Sequence, residues 1–234
     1  MKISVVIAAK NEEVMLPECI RSVEQFSDDI VVVDDMSTDK TVELARKMGA
    51  RVYKRKLDGF STQKNFGASK AMNDWILILD ADERVSKELS DELISLKPNP
   101  QVAAYAINFR NHINKKWLRH GGLYPDPHTR LYDRRRAKYG KREIHETLEI
   151  NGTTAQLHHD IIHYTYSGYR EYLAKVNKYA VLEARWTERR PSVLRPVRVF
   201  AEKYFAEKGI LDGLAGLISA LLLAYYQVII RREM

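Results

Sequence analysis

The chain carries one cysteine, Cys19, in 234 residues. A lone thiol excludes an intramolecular disulfide, so the fold must rest on its hydrophobic core, and a reducing compartment is expected. Neither GxGxxG nor GxxxxGK followed by Ser or Thr occurs, which counts against a dinucleotide cofactor and a P-loop NTPase. The first apolar run, Ile3 to Ala9, is short and ends in Lys10-Asn11-Glu12-Glu13. That is expected of a strand meeting a helix start, not of a secretory signal. Hydrophobic residues make up 45% of the chain and charged ones 29%, which excludes a disordered polymer and fits one large domain or one and a half.

What is present is organised around Trp75-Ile76-Leu77-Ile78-Leu79-Asp80-Ala81-Asp82-Glu83. The apolar run reads as a buried strand whose carboxyl end delivers two aspartates just before a helical pattern near Ser86. Asp29 to Asp35 reads as a second strand ending in two carboxylates, Ile3–Ala9 as a first and Arg51–Lys54 as a third. Helices are expected from Asn11, from Ser37 to Lys47 with Gly49 as its stop, and from Phe60 to Met72. Strands alternating with helices at this pace imply parallel crossovers and a doubly wound α/β layer. Its strand carboxyl ends would share one rim, where ligands bind. Acids there suit a hard divalent cation shared with substrate phosphates, although turns and helix caps use aspartate equally well.

After Pro98-Asn99-Pro100 the character changes. Val102–Arg110 and Thr129–Asp133 read as strands of a mixed sheet, with Gly121-Gly122 and Pro125-Asp126-Pro127 as loops. The net charge is +7, and Arg110 to Arg142 alone carries 11 Lys or Arg against two acids. Trp117, Tyr124, Tyr132 and Tyr139 lie among these charges, so the segment is expected to form a binding face for an anionic partner. All seven histidines fall between His112 and His163, a crowding that suggests a polar site. From Ser167 to Arg190 the pattern is helical, with Tyr172, Val176, Tyr179, Leu182 and Trp186 on roughly one core-facing side. A further helix carries Arg195, Arg198, Lys203 and Lys208. Gly213 to Ile230 is free of charge and closed by Arg231-Arg232. Three readings of it stand: a helix on an anionic membrane surface, a buried or subunit-packing helix, and a span.

Three ordered segments resemble the family 2 glycosyltransferases, which have the GT-A fold. Ile7-Ala8-Ala9-Lys10-Asn11-Glu12-Glu13 is similar to the family's opening Asn-Glu segment. Val33-Asp34-Asp35-Met36-Ser37-Thr38-Asp39 resembles its Val-Asp-Asp-x-Ser-x-Asp, and Leu79-Asp80-Ala81-Asp82-Glu83 its DXD. Gly59-Phe60-Ser61-Thr62-Gln63-Lys64-Asn65 and Ile144-His145-Glu146 narrow the likeness to lipopolysaccharide core-biosynthesis glycosyltransferases, in particular β-1,4-glucosyltransferases acting on inner-core heptose. Many relatives carry Pro and Tyr where Ala8 and Lys10 stand here. At the nucleotide base, backbone contact or Lys10 is the expected substitute for an aromatic.

The resemblance implies a mixed, mainly parallel GT-A sheet with flanking helices and a C-terminal helical extension. It implies a nucleotide-sugar donor, UDP-glucose in the first instance, held by Ala8, Asn11, Glu12, Val33, Asp35, Lys64, Asp80, Ala81 and Arg130. Asp35 would take the base or ribose, Glu12 the nucleotide edge, and Lys64 and Arg130 the diphosphate, unless these two are ordinary surface cations. Asp82 would bind Mg2+ or Mn2+ directly and Asp80 partly through the ribose or a water, with His163 completing the shell and His158 and His159 as rivals. Glu146 would be the general base of an inverting transfer, against the plainer reading of a strand carboxylate paired with an arginine.

The expected organisation is residues 1–98 for the donor, 99–166 for the acceptor and catalysis, and 167–234 for helices. The acceptor would be an anionic glycolipid, with peripheral membrane contact through the C-terminal helix, at the inner face of the cytoplasmic membrane. Alternatives are a polyprenyl-phosphate sugar transferase, a nucleotidyltransferase, which would release pyrophosphate rather than UDP, and a basic nucleic-acid-binding protein. The last gives no reason for Asp80, Asp82 and Glu146, so no nucleic-acid partner is expected.

Overall fold

The computed structural model describes residues 1–113, 116–140, 147–166, 168–185, 187 and 190–234. It divides into two compact units, one of Met1–Phe109 with Pro127–Ile162 and one of Arg110–Asp126 with His163–Met234.

In the first unit, β1 (Ile3–Ala9), β2 (Asp29–Asp34), β3 (Arg51–Lys54) and β4 (Trp75–Asp80) lie in the order β3-β2-β1-β4, all parallel. The helices between them are α1 (Leu16–Arg21), α2 (Thr41–Lys47) and α3 (Phe60–Lys70). A short β5 (Glu83–Val85) and α4 (Lys87–Ser95) follow, and then β6 (Val102–Ile113). After β7 (Lys116–Trp117), β8 (Pro127–Asp133) pairs antiparallel with both β4 and β6, which makes the sheet mixed. β9 (Ala137–Tyr139) and β10 (Leu148–Ile150) form a separate antiparallel pair, and β11 (Thr153–Tyr166) returns to the main sheet between β6 and β5.

The continuous apolar runs of β1, β2 and β4 are buried because helices cover both faces. Side chains alternate between two cores as strand geometry requires. Val5, Ile7, Leu77 and Leu79 join Leu16, Ile20, Leu89 and Leu93 on one face, while Val6, Val31, Val33, Ile76 and Ile78 join Ala68, Ala71, Tyr132 and Tyr139 on the other. α3 approaches the sheet closely enough that a Cβ on Gly67 would stand 2.3 Å from Val6 Cγ1. Tyr132 and Tyr139 are thus core residues, which corrects their assignment to a basic binding face. Three arginines of that segment are structural too. Arg134 donates to the carbonyls of Ala68 and Ala71, Arg135 pairs with Asp133 and Asp74, and Arg136 donates to the carbonyls of Pro100 and Asn151.

The second unit packs α5 (Tyr169–Ala184), α6 (Arg195–Ala201) and α7 (Leu214–Glu233). Its core holds Ile113, Leu118, Tyr172, Val176, Ala180, Ala215, Ile229 and Ile230, whereas Tyr179 is exposed and not in it. Buried Asp212 accepts the backbone N–H groups of Arg119 and His120 at 2.9 Å, tying that loop to the turn before α7. α7 is long and apolar enough to cross a membrane by length and composition, with mean hydropathy 1.7 and 39% of its apolar window buried.

Candidate active site

β1 ends between β2 and β4, and the register sets Val33, Ala8 and Asp80 side by side across three neighbouring strands. One step further, Ala9 lies beside Asp34, and the N–H of Asp35 continues the ladder to the Ala9 carbonyl at 2.8 Å. Two acid pairs, Asp34-Asp35 and Asp80 with Asp82, therefore sit at the same rim on either side of β1.

The segment after β1 is not yet helix. Asn11 has a left-handed φ of 54° and donates its N–H to Ser37 Oγ, while Glu12 and Glu13 donate theirs to Thr41 Oγ1 and Asp39 Oδ2. Asn11 Oδ1 in turn accepts the N–H of Thr38, and Glu13 Oε2 that of Lys40. Side-chain partners 26 to 29 residues away satisfy these N–H groups, and α1 begins only at Leu16. The Asn-Glu and Asp-Asp segments are thus one interlocked pair of loops.

Asp35 is buried at the rim. Lys10 Nζ donates to its Oδ2 at 2.7 Å and the Leu57 N–H to its Oδ1 at 2.8 Å. The Lys10 hydrogen bond, followed by that of Leu57, holds its carboxyl below the ordinary aspartate range. Asp34 is fully buried, with Oδ2 accepting the Ser37 N–H and Oδ1 lacking a hydrogen-bond partner among the described residues.

At the end of β4, Asp80 has a side chain 41% exposed and its Oδ2 lies 3.4 Å from Arg130 Nη2. Asp82 is half-buried in the turn that follows. Two residues outside the expected metal and donor contacts hold this turn. Glu83, fully buried, accepts the Asp80 N–H at 3.0 Å and pairs with Arg130 at 2.7 Å. Arg84 donates to the carbonyls of Ala81, Glu83 and Met15. The only hint of Glu83 was its place as a third acid directly after Asp82. Burial works against the charge of Arg130, yet Glu83 and Asp80 outweigh it and strengthen its protonation. Cys19 lies fully buried below the same strand end, its Sγ 3.6 Å from the Asp80 carbonyl, and burial pushes its thiol far up.

Lys64 and Arg130 line one cavity of about 540 Å³, together with His128, Tyr139, Thr147 and Leu148. Lys64 Nζ stands 5.2 Å from the Tyr139 ring centroid. His158 and His159 donate their backbone N–H groups to Glu92, and the His159 ring also meets that carboxylate. His163 belongs to the second unit, its Nδ1 2.9 Å from Asn111 Oδ1. Glu146 lies outside the described residues. Among the described residues no group of three His, Cys, Asp or Glu side chains is placed to hold a metal. The carboxylates of Asp80, 41% exposed, and Asp82 at this strand end still fit Mg2+ or Mn2+, which takes one or two carboxylates and fills its shell with water and substrate phosphates.

Removing Arg130 should cost stability. Because Glu83 would stay buried without its cation, Arg130→Met is expected to destabilise the fold by about 3 kcal/mol or more in urea unfolding. Adding Glu83→Leu should recover part of that; no recovery would show that the pair is not what holds the turn.

Residues 4–171 match the family described as glycosyl transferase family 2. A glycosyltransferase of Rickettsia bellii is 30% identical over 96% of this chain and 83% of its own length. The lipopolysaccharide core biosynthesis glycosyltransferase LpsC of Rhizobium meliloti is 26% identical over 97% and 89%. Among solved structures, glucosyl-3-phosphoglycerate synthase of Mycobacterium tuberculosis is 23% identical over 47% of this chain and 44% of that one, with a TM-score of 0.39. The extent of the family match, on a chain whose three motif segments converge at one sheet rim, makes this protein a member of glycosyltransferase family 2.

Proposed function

We propose that the chain is a metal-dependent, inverting hexosyltransferase moving glucose from UDP to an anionic glycolipid of the lipopolysaccharide-core type. The observation that carries this reading is the register row Val33-Ala8-Asp80, flanked by Asp35 on one side and by the Lys64–Arg130 cavity on the other. A nucleoside diphosphate needs an acceptor for its base or ribose, cations for its phosphates and a cation site between. Asp35 supplies the first, with Ala8, Asn11, Glu12 and Val33 along the nucleotide. Lys64 and Arg130 supply the second, with Arg130 also positioning Asp80.

Asp82 would hold the divalent ion, with Asp80 and Ala81 beside it. When bound, the ion stabilises the charge developing on the departing diphosphate. Glu146 takes the proton of the acceptor hydroxyl from the face opposite the leaving group, so that the anomeric centre inverts. The likeness to LpsC supports the acceptor class. The charge-free stretch of α7, closed by Arg231 and Arg232, supports peripheral attachment to the inner face of the cytoplasmic membrane. That same helix also favours a second reading, a polyprenyl-phosphate sugar transferase.

A hydrolysis and thermal-shift panel of UDP-, GDP- and dTDP-sugars with Mn2+ tests the donor. UDP-glucose is expected to give the largest shift and to release UDP. A preference for GDP or dTDP, or release of pyrophosphate, would overturn the assignment. Sugar recovered on a polyprenyl phosphate rather than on a core glycolipid would favour the second reading.

A further inference from the structure

The second unit contains a cavity of about 720 Å³ that none of the roles above uses, lined by Arg190, Arg195, Arg198, Ser192, Gln227 and Glu202 among others. Arg190 donates its Nε to the Arg231 carbonyl at 3.0 Å and Arg195 its Nε to Gln227 Oε1 at 2.7 Å. Those bonds anchor the two side chains at Nε. Of the acids lining the cavity, Glu183 accepts the Tyr226 hydroxyl and Glu202 lies 3.9 Å from Lys203 Nζ, so the three arginines outnumber them. Three guanidinium forks at one concavity match the paired oxygens of a phosphate group.

Large apolar side chains stand exposed on the same stretch of chain, with Val193 at 68%, Leu194 at 58% and Val197 at 66%. α7, which contributes Gln227 and Ile230 to the cavity, carries its exposed Leu214, Leu221, Tyr225 and Val228 on the side of the helix away from it. A 3.6-residue turn sets these four on one line. Cations interleaved with unburied aliphatic residues suit a phosphate that arrives attached to hydrocarbon.

We infer that this arginine cavity binds the phosphate of an anionic membrane lipid while Leu194 and Val197 enter the surrounding interface. The inference rests on the membrane contact proposed above, and the two fail separately. Loss of all vesicle binding by the wild-type chain ends the membrane reading. Binding without phosphate preference ends only the cavity's role.

The test is sedimentation of the full chain with phosphatidylcholine vesicles doped to equal surface charge with either phosphatidic acid or oleate. The wild-type chain should prefer the phosphatidic acid vesicles by about tenfold or more. Arg195→Gln with Arg198→Gln should abolish that preference, and Arg195→Lys with Arg198→Lys should lose it while keeping charge-driven attachment. Hydrolysis of the sugar nucleotide should be unchanged in both, which shows that the variants fold. Leu194→Ser with Val197→Ser should weaken binding to both kinds of vesicle by about tenfold.

Equal wild-type binding to the two kinds of vesicle, or a preference surviving in the Gln variant, would overturn the inference. So would glycerol phosphate binding as tightly as the vesicles with Leu194→Ser and Val197→Ser without effect, since the site would then serve a soluble phosphate. A lipid-free dimer that the serine substitutions dissociate would assign the apolar face to a second copy of the chain instead.

Discussion

Asp82→Ala should abolish the metal dependence of donor binding and lower transfer by about three orders of magnitude or more. A divalent ion at a departing diphosphate supplies several kcal/mol of charge stabilisation, and each ~1.4 kcal/mol is a factor of ten in rate. The substitution should leave the turn standing, because Glu83 and Arg84 hold it through the Asp80 N–H and the Ala81 carbonyl. Loss of function would then be read apart from loss of fold. Calorimetry of UDP with Mn2+, with and without chelator, is the measurement. Wild-type affinity should fall when the ion is removed and the variant's should not change. A variant whose affinity still depends on Mn2+ would reject Asp82 as the ligand. Asp80→Ala should behave less cleanly, since it also strips Arg130 of a carboxylate partner.

The strands that carry this site were legible because their sequence leaves few options. Ile3 to Ala9 and Trp75 to Leu79 are too apolar to lie anywhere but in a sheet covered on both faces. Two strands ending in acids, Asp29 to Asp35 and Trp75 to Asp80, predict a charged rim, and the register of Ala8 with Val33 and Asp80 bears out that expectation. What was not legible depends on partners distant in sequence. Glu83 reads as the tail of a turn until Arg130, 47 residues later, is folded against it. Lys10 reads as the polar start of a helix, yet its amine closes on Asp35, 25 residues away. The helix expected from Asn11 begins at Leu16 because donors that could have been capped locally were taken by Ser37, Thr41 and Asp39. Charge density misled for a related reason. A count of cations from Arg110 to Arg142 cannot tell an arginine aimed at solvent from Arg134 or Arg136, whose guanidinium groups close off backbone carbonyls. Helical periodicity likewise put Tyr179 with Tyr172 and Val176, although only the latter two reach the core.

Glu146→Gln should reduce kcat by about two to four orders of magnitude while leaving UDP-sugar affinity near its wild-type value, the range a positioned general base supplies. The expectation joins the family likeness of Ile144-His145-Glu146 to the chain on either side of it. Thr147, the next residue, and Tyr139 line the cavity that also holds Lys64 and Arg130, and the Gly140 N–H donates to the Thr147 carbonyl at 3.0 Å. A general base acts on the acceptor hydroxyl and not on the donor, so kcat rather than the donor's Kd should carry the loss. The pH profile separates this role from a structural one. A carboxylate base must be ionised, so wild-type kcat/KM should rise with pH through its pKa. The Gln variant, with nothing to ionise, should lose that limb along with most of its rate. A carboxylate merely paired with a nearby arginine would lower thermal stability on substitution and leave the acid limb in place. Full turnover by the variant, or an unaltered profile at reduced rate, would require another base.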